Sequence, residues 1–363
     1  MKKKIAVITG TRPGLIMMYS LYHELKKNNF NFFVIHTNQH FSKNMDFDIM
    51  EDLNIKDIKY RISNSKISKS SITQLSDQIK GIENVFLKEK PNLVVVFGDT
   101  NSNLSAALVA RKLDMKLMHI EAGERSKNWQ QPEEHNRKII DIISDYLIVT
   151  NKNSKKTLIN EGINKKNIFI CGNPIVDATI ENSKKIYKKQ SNQKNYKYGV
   201  LTFHRQEIAD NKTFIKQIIE GVSEASLKLK LAKTYFFIHP RTLKNIKKFK
   251  LKSFLKKFVI IKPMSSIGYI DFLTYLKNSS IVFTDSGGVQ QETVILDIPT
   301  IILRDKTEWR SAIIYSRQLI SGPNKEKIIK KSNLVFKKKL INKWIFGKPG
   351  VSKRIIKIIN TVG

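Results

Sequence analysis

The stretch Ile281-Val-Phe-Thr-Asp-Ser-Gly-Gly-Val-Gln-Gln-Glu292 decides the fold class of this chain. A short run of β-branched and aromatic residues ends at Phe283, a turn rich in small polar residues and glycine follows, and an apolar-periodic segment then extends to Leu296. This order predicts a strand, a tight turn and a helix. The stretch therefore predicts an α/β protein.

The same turn has the chemistry of an anion site. Gly287 and Gly288 allow a ligand close to the backbone, and Ser286 is suited to cap the helix. Unpaired N–H groups at a helix start attract phosphate. Glu292 would lie one turn into the helix, where its carboxylate can accept hydroxyl hydrogen bonds, as from a ribose. An ordinary strand-to-helix turn with a serine cap is the alternative.

Length and composition indicate a globular protein of two ordinary domains. The 363 residues are 41% hydrophobic and 9% aromatic, which excludes a disordered chain. No apolar run reaches the ~18 residues of a membrane span, and Met1-Lys-Lys-Lys4 leads directly into an apolar strand without a signal-peptide pattern. We therefore expect a cytoplasmic protein without an integral membrane segment. The single cysteine, Cys171, excludes an intrachain disulfide and a cysteine-based metal cluster.

The net charge of +34 raises the question of nucleic-acid binding. The excess is lysine spread along the whole chain, as in 247–257 and 325–339, and no nucleic-acid-binding motif accompanies it. We interpret this charge as solvated surface lysine and expect no nucleic-acid partner.

Strands and helices alternate twice along the chain, which predicts two doubly wound parallel sheets, each in a Rossmann-like domain, facing a cleft. The first series has predicted strands at Ile5–Thr9, Phe32–His36, Leu93–Phe97, Leu117–Glu121, Tyr146–Thr150 and Ile168–Cys171. The second has them at Tyr198–Phe203, Thr234–His239, Phe258–Lys262, Ile281–Phe283 and Thr300–Leu303. We expect a polar linker at 181–197, domains at 1–172 and 173–350, and a final helix, 351–363, that folds back onto the first domain.

Polar residues directly after these strands are the candidate site residues, because ligands bind at the carboxyl ends of the strands in open α/β sheets. They include Asp99, Glu121, His204 and Arg205, together with His239 and Arg241. Taken singly, each has a structural explanation, such as a helix cap or a surface ion pair. Together they predict a cleft with several carboxylates, a histidine and arginines beside a phosphate-binding helix start.

Eight motifs in order resemble those of the non-hydrolysing UDP-N-acetylglucosamine 2-epimerases. They are Gly-Thr-Arg-Pro at 10–13, Gly-Asp-Thr at 98–100, Glu-Ala-Gly at 121–123, Pro-Glu-Glu-x-Asn-Arg at 132–137, Gly-Asn-Pro-Ile-Val-Asp at 172–177, His-Arg at 204–205, Gly-Tyr-Ile-Asp-Phe at 268–272 and Thr-Asp-Ser-Gly-Gly-x-Gln-x-Glu at 284–292. The resemblance implies a two-domain fold of the glycosyltransferase B type and a homodimer. It also implies a UDP-sugar held between the halves without metal or cofactor.

The resemblance further implies inversion at C2 of the sugar by elimination of UDP to a 2-acetamidoglucal and re-addition of UDP. It places Asp99, Glu121 and Glu133 at the acid/base positions and His204 near the departing diphosphate. Residues for UDP follow from the same motifs and from the polar strand ends: Arg12, Arg205, His239, Arg241, Ser286, Gly287, Gly288, Glu292 and Arg310. In some bacterial relatives the segment of Gln39 and His40 contributes to a second, activating UDP-sugar site.

Some positions depart from the family pattern. Met17 stands where a lysine is common, which removes a cation that would bind the leaving diphosphate. Gln291 replaces a common glutamate, Asn38 replaces a glycine, and Trp309-Arg310 stands where Arg-Pro or Trp-Pro is usual.

The leading hypothesis is therefore a UDP-N-acetylglucosamine 2-epimerase that makes UDP-N-acetylmannosamine for surface polysaccharide. An epimerase of a related UDP-2-acetamido sugar, such as a UDP-2,3-diacetamido uronic acid, is the first alternative. A UDP-sugar-dependent glycosyltransferase is another, and Met17 motivates a third, a UDP-sugar-binding protein with impaired catalysis.

Overall fold

The computed structural model describes residues 3–39, 49–62, 70–186 and 196–362. The chain divides into two compact units, Met1–Ala178 with Phe346–Gly363, and Thr179–Ile345. Each unit is built on one parallel sheet. The expectation of an α/β fold with two such sheets is confirmed.

The first unit has a seven-stranded sheet in the order β3-β2-β1-β4-β5-β6-β7. Its strands are β1 Lys4–Thr9, β2 Asn31–His36, β3 Ile58–Arg61, β4 Leu93–Phe97, β5 Lys116–Ala122, β6 Tyr146–Val149 and β7 Ile168–Ile170. Every residue of β4 is buried, as expected for a central strand covered on both faces. The strand order reverses between β1 and β4, and the carboxyl ends of these two strands mark the usual ligand position of such a sheet.

Helices connect these strands. They run over Arg12–Lys27, Ser71–Glu89, Asn101–Lys112, Pro132–Ile143, Lys152–Asn160 and Ile175–Lys185. The final helix, Val351–Val362, packs against Arg12–Lys27, where the Ser20 and Ser352 hydroxyls lie 2.7 Å apart. Asp177 caps it by accepting from the N–H groups of Gly350 and Ser352 at 2.7 and 2.9 Å. The end of the chain is thereby fixed to the first unit.

The second unit has a six-stranded sheet in the order β10-β9-β8-β11-β12-β13. Its strands are β8 Tyr198–Thr202, β9 Lys233–Phe237, β10 Ile261–Met264, β11 Ile281–Thr284, β12 Thr300–Ile302 and β13 Gln318–Ile320. Its helices are Gln206–Ala209, Lys212–Lys228, Pro240–Lys248, Lys252–Lys256, Tyr269–Lys277, Gly287–Ile295, Arg310–Tyr315 and Lys325–Leu334. Here the order reverses between β8 and β11, so the ends of these strands form the corresponding ligand position.

Two local predictions differ from the structure, and two strands were not predicted. The linker predicted at 181–197 is helical as far as Lys185, and 187–195 lies outside the described residues. The strand predicted at Phe258–Lys262 begins at Ile261, because pairing with β9 sets its register and leaves Val259 exposed. The edge strands β3 and β13 were not predicted, since each is only three or four residues long. In the described ranges, no helix is long and apolar enough to cross a bilayer.

Candidate active site

Two of the predicted carboxylates lie at the ends of neighbouring strands of the first unit. Asp99 follows β4 and Glu121 lies near the end of β5, and these strands pair along their whole length up to Phe97 and Ile120. The Gly98 N–H donates to the Ile120 carbonyl at 2.9 Å, which holds the two strand ends together. The sheet therefore brings Asp99 and Glu121 to one edge.

The helix Pro132–Ile143 holds Asp99. Arg137, which is buried, forms an ion pair with the Asp99 carboxylate. Asn136, its neighbour on the helix, donates to the Asp99 carbonyl at 2.8 Å. One short motif thus fixes both the backbone and the side chain of Asp99 and places a cation against its carboxylate.

The two glutamates of the motif at 132–137, Glu133 and Glu134, have different surroundings. Glu134 is buried and accepts from the Ser126 N–H and hydroxyl, each at 2.8 Å, and from Arg137 at 2.9 Å. Burial opposes its charge, but these donors hold the pKa of Glu134 below its usual value. Glu133, by contrast, is only partly buried in the first helical turn. Glu134 therefore anchors the 126–127 turn, and Glu133 has the more accessible position of the two.

Glu121 has an unusual backbone and an unusual protonation state. Its φ of 74° places a non-glycine residue in the left-handed region, which costs free energy and is typical of functional sites. Asn173 donates a hydrogen bond to its carboxyl group. Although its surface is partly exposed, dense packing around the carboxyl group, together with the charge of Asp99, raises the pKa of Glu121 to about 8. At neutral pH the Glu121 carboxyl group is therefore largely protonated, whereas Asp99 is paired with Arg137.

Met17, the departure from the family pattern, lies beside this pair. It is buried in the helix Arg12–Lys27. A Cβ placed on Gly98 would lie 3.7 Å from the Met17 methyl carbon and 3.3 Å from the Glu121 carboxyl oxygen. A longer cationic side chain at position 17 would therefore reach the neighbourhood of Glu121. Arg12, at the start of the same helix, is partly exposed after the Thr11 cap.

The segment after β2 contacts the helix that follows Asp99. The Gln39 side-chain oxygen accepts from the Ser102 N–H at 3.0 Å and from its hydroxyl at 2.7 Å. Because Thr100 makes no side-chain cap bond, Gln39 serves as the cap of Asn101–Lys112. His40, the other residue predicted for a second site, lies outside the described residues.

In the second unit, the turn at 284–288 begins a helix as predicted. Ser286 is the N-cap and accepts from the Val289 N–H at 3.5 Å. The helix starts at Gly287, two residues earlier than the sequence pattern indicated. The N–H groups of Gly287 and Gly288 have no partner within the helix, as at any helix start. They are the donors that an anion site at this position would use.

The two glycines differ in their surroundings. A Cβ on Gly287 would lie 2.6 Å from the Glu308 carboxyl oxygen, whereas a Cβ on Gly288 would meet no atom within 4 Å. Glu308 is buried and ion-paired with Arg304, and Arg205 lies 3.8 Å from it. Arg304 and Glu308 follow β12, so their position after a strand was the available sequence signal, although no role was predicted for them.

Asp285 joins the ends of β8 and β11. Its buried carboxyl group accepts from the N–H of His204 at 2.9 Å and from that of Arg205 at 2.8 Å. Burial raises the pKa of Asp285, against the lowering effect of those N–H donors. The His204 ring lies 4.8 Å from the His239 ring, between centroids. Asp285 thus holds His204 and Arg205 beside the turn, with His239 next to His204, a positioning role that the sequence pattern did not indicate.

The remaining predicted residues are distributed unevenly. Glu292 is buried in the helix Gly287–Ile295. Arg241 forms a bidentate pair with Asp210, at 2.9 and 2.7 Å, on an exposed surface. Arg310 is exposed at the start of a short helix. The structure therefore groups His204, Arg205 and His239 with the helix start and gives Arg241 a different partner.

Two doubly wound parallel sheets with helices between their strands define a two-domain α/β fold of the glycosyltransferase B type. A UDP-N-acetylglucosamine 2-epimerase of Methanocaldococcus jannaschii is 41% identical over 364 residues, covering 98% of each chain. The crystal structure of the M. jannaschii UDP-GlcNAc 2-epimerase in complex with UDP-GlcNAc and UDP superposes with a TM-score of 0.93, at 41% identity and 99% coverage of each chain. This match confirms the predicted fold type.

A UDP-2,3-diacetamido-2,3-dideoxy-D-glucuronate 2-epimerase of Pseudomonas aeruginosa is 31% identical over 329 residues, 90% of each chain. The family model described as UDP-N-acetylglucosamine 2-epimerase matches residues 23–360. The chain belongs to the UDP-N-acetylglucosamine 2-epimerase family, a family of isomerases, and the predicted resemblance is confirmed.

Proposed function

We propose that this protein interconverts UDP-N-acetylglucosamine and UDP-N-acetylmannosamine. The observation that carries the proposal is that two carboxyl groups at one edge of the sheet have different environments. Asp99 is ion-paired with Arg137, whereas Glu121 has a pKa of about 8. A carboxyl group that keeps its proton at neutral pH, beside a carboxylate paired with a cation, is an arrangement that general acid/base chemistry uses.

The proposed reaction begins with removal of the C2 proton by a carboxylate. The C–H electron pair forms the C1–C2 double bond, the C1–oxygen bond breaks, and UDP leaves with that electron pair. Return of a proton to the opposite face of C2 and attack of UDP on C1 complete the inversion. We assign the base on one face to the ionised Asp99 and the acid on the other to the protonated Glu121. Their roles exchange in the reverse direction, and Glu133 completes the predicted set.

The second unit is proposed to hold the leaving group. The Gly287 and Gly288 N–H groups, capped by Ser286, would bind the diphosphate, and Glu292 would accept from the ribose. His204 and Arg205, which Asp285 holds beside this turn, would stabilise the charge that develops on UDP. Arg12, His239, Arg241 and Arg310 remain proposed contacts of the nucleotide, with Arg241 having to leave Asp210 to make one. In this proposal residues 1–172 supply the acid/base groups and residues 173–350 bind UDP.

A second candidate substrate is a UDP-2,3-diacetamido uronic acid. The 31% identity to the P. aeruginosa epimerase of that sugar supports it. The reacting atoms are the same, because both sugars carry hydrogen and an acetamido group on C2. The site would in addition have to accommodate an acetamido group at C3 and a carboxylate on C5.

The proposed setting is the cytoplasm, as a homodimer that supplies a precursor of surface polysaccharide. The family resemblance set out above supports the dimer, and sedimentation velocity tests it. The epimerase activity is tested by incubating the protein with each UDP-sugar in deuterated water. NMR should show deuterium at C2 and the appearance of the 2-epimer. Release of UDP with transfer of the sugar to an acceptor would instead support a glycosyltransferase.

A further inference from the structure

A buried pair, His119 and Asp141, lies next to the strand ends that carry Asp99 and Glu121 and has no role in the proposed chemistry. Both side chains are almost wholly shielded from solvent. The His119 Nδ1 lies 2.7 Å from the Asp141 carboxylate, and its Nε2 lies 2.9 Å from the Gly98 carbonyl. His119 is on β5 two residues before Glu121, and Gly98 precedes Asp99.

Asp141 connects this histidine to the turn after Glu121. Its second oxygen accepts from the Gly123 N–H at 3.1 Å and from Arg125 at 2.7 Å. Arg125 in turn binds Glu161 through two hydrogen bonds, at 3.0 and 2.6 Å. Burial opposes the charge of Asp141, but His119 and Arg125 hold its pKa below the usual value. The network therefore contacts the backbone at Gly98, directly before Asp99, and at Gly123, two residues after Glu121.

The two contacts of His119 fix its protonation state. A carbonyl oxygen only accepts, and an ionised carboxylate only accepts, so both ring nitrogens must donate. The charges agree with this conclusion. A cationic His119 offsets the buried charge of Asp141, while Arg125 lies between Asp141 and the partly exposed Glu161, which Lys138 also approaches at 3.8 Å.

We infer that His119, as an imidazolium held by Asp141, is a positioning residue that sets the turns carrying Asp99 and Glu121. One ring nitrogen donates to the Gly98 carbonyl and thereby fixes the direction of Asp99. The other donates to Asp141. Asp141 in turn fixes Gly123 and thereby the strained backbone at Glu121. The catalytic consequence rests on the proposed epimerase function, whereas the hydrogen-bond pattern does not.

Two substitutions separate the two contacts of His119. The amide nitrogen of asparagine lies about where Nδ1 of histidine lies, and that of glutamine about where Nε2 lies. His119→Asn therefore keeps a donor for Asp141 and loses the bond to Gly98, whereas His119→Gln does the reverse. Both remove one buried hydrogen bond and the ring charge, and the loss in Tm measures the cost of each substitution to stability.

We expect His119→Asn to lower kcat by about 10- to 100-fold with little change in KM or in UDP affinity, because misplacement of a reacting group affects the chemical step. His119→Gln should retain several-fold more of kcat. Amide hydrogen exchange at 98–100 should accelerate in His119→Asn more than in His119→Gln. Equal kcat losses that follow the losses in Tm, together with equal exchange rates, would overturn the positioning role.

The protonation state is tested on the unmodified protein. Long-range nitrogen–proton NMR of the histidine rings, with His119 assigned through the backbone resonances of its strand in the unmodified protein, should show protons on both nitrogens at neutral pH. A single protonated nitrogen would overturn the inference even if neither variant folds. If the unmodified protein shows no C2 exchange, the proposed function fails, while the NMR and the amide exchange still test the positioning role of His119.

Discussion

The buried Arg137 forms an ion pair with the partly exposed Asp99, and the same guanidinium donates to Glu134 at 2.9 Å. The pair gives Asp99 a fixed direction and a neighbouring positive charge. Glu121, at the end of the neighbouring strand, accepts from the neutral amide of Asn173. This contrast is the physical basis of the proposed acid/base division.

Removal of the Arg137 cation should impair both stability and turnover. We expect Arg137→Met to lower the free energy of unfolding by about 3 kcal/mol or more, because it leaves Glu134 buried without its cation. It should lower kcat by about 100-fold through the loss of Asp99 positioning. Urea unfolding and initial-rate kinetics measure these effects.

Arg111→Met is the matched control for that substitution. Arg111 pairs with Asp145 at 3.0 Å but is much more exposed. Its loss should cost about 1 kcal/mol or less and leave kcat unchanged. Equal kcat for the Arg137 variant and this control would contradict the role of the Asp99 pair.

The protonation of Glu121 should appear in the pH profile. Because the pKa of Glu121 is raised to about 8, the proton that it donates is present at neutral pH and lost above about pH 8. We expect kcat/KM to fall on the alkaline side with an apparent pKa near 8, and Glu121→Gln to show a low activity without that limb. If the alkaline limb persists in Glu121→Gln, the titration of another group causes it.

The same shift predicts how stability depends on pH. The folded pKa lies above the unfolded value, so the folded protein holds this proton more tightly. The stabilising contribution of protonated Glu121 is complete below about pH 4.5 and is lost as the pH rises to about 8. Glu121→Gln should therefore lose less stability than the unmodified protein between pH 6 and pH 8.5. Identical slopes for the two proteins would contradict the raised pKa.

A cation at position 17 should change Glu121. The Met17 methyl and the Glu121 carboxyl both lie close to the Cβ position of Gly98. We expect Met17→Lys to lower the pKa of the alkaline limb by one unit or more, because an opposite charge favours the ionised carboxyl group. Met17→Leu, which keeps the volume and adds no charge, should reproduce the original profile.

Met17→Lys also tests the reading of a UDP-sugar-binding protein with impaired catalysis. Turnover that appears only in Met17→Lys, with UDP binding intact in the unmodified protein, would support that reading. Ordinary turnover of the unmodified protein would exclude it.

The two glycines of the anion turn should respond differently to alanine. Gly287→Ala would bring a Cβ within 2.6 Å of a Glu308 oxygen that Arg304 holds in place, so we expect a stability loss of about 1–3 kcal/mol. Gly288→Ala points into open space and should fold at least as well as the original. Its new methyl group would occupy the proposed diphosphate position, and UDP affinity by calorimetry should fall at least tenfold. Unchanged UDP affinity of Gly288→Ala would place the diphosphate elsewhere.

The fold could be predicted largely from the sequence because both sheets are parallel and their central strands are continuous apolar runs. Leu93–Phe97 and Ile281–Thr284 are buried along their whole length, and such runs are unambiguous when helical patterns separate them. The edge strands Ile58–Arg61 and Gln318–Ile320 have mixed or partial burial and few residues. Their pairing depends on a neighbouring strand that periodicity alone does not reveal.

The site was predictable only in part, for a related reason. Motif order and strand-end position pointed to Asp99, Glu121 and the turn at 284–288. The residues that hold them, such as His119, Asp285 and Arg137, act through contacts between segments far apart in the chain. His119 and Asp141 are 22 positions apart, and His204 and Asp285 are 81 apart. Such partners become visible only when the sheet order is known.

The central claim is that this protein inverts C2 through loss and return of the C2 proton. The direct measurement is proton NMR of UDP-N-acetylglucosamine incubated with the protein in deuterated water, with UDP-2,3-diacetamido glucuronic acid measured in parallel. The account predicts deuterium at C2 in both epimers of at least one of these sugars, and no incorporation in the double variant Asp99→Asn, Glu121→Gln. Absence of exchange, epimer and UDP release with both sugars would contradict it.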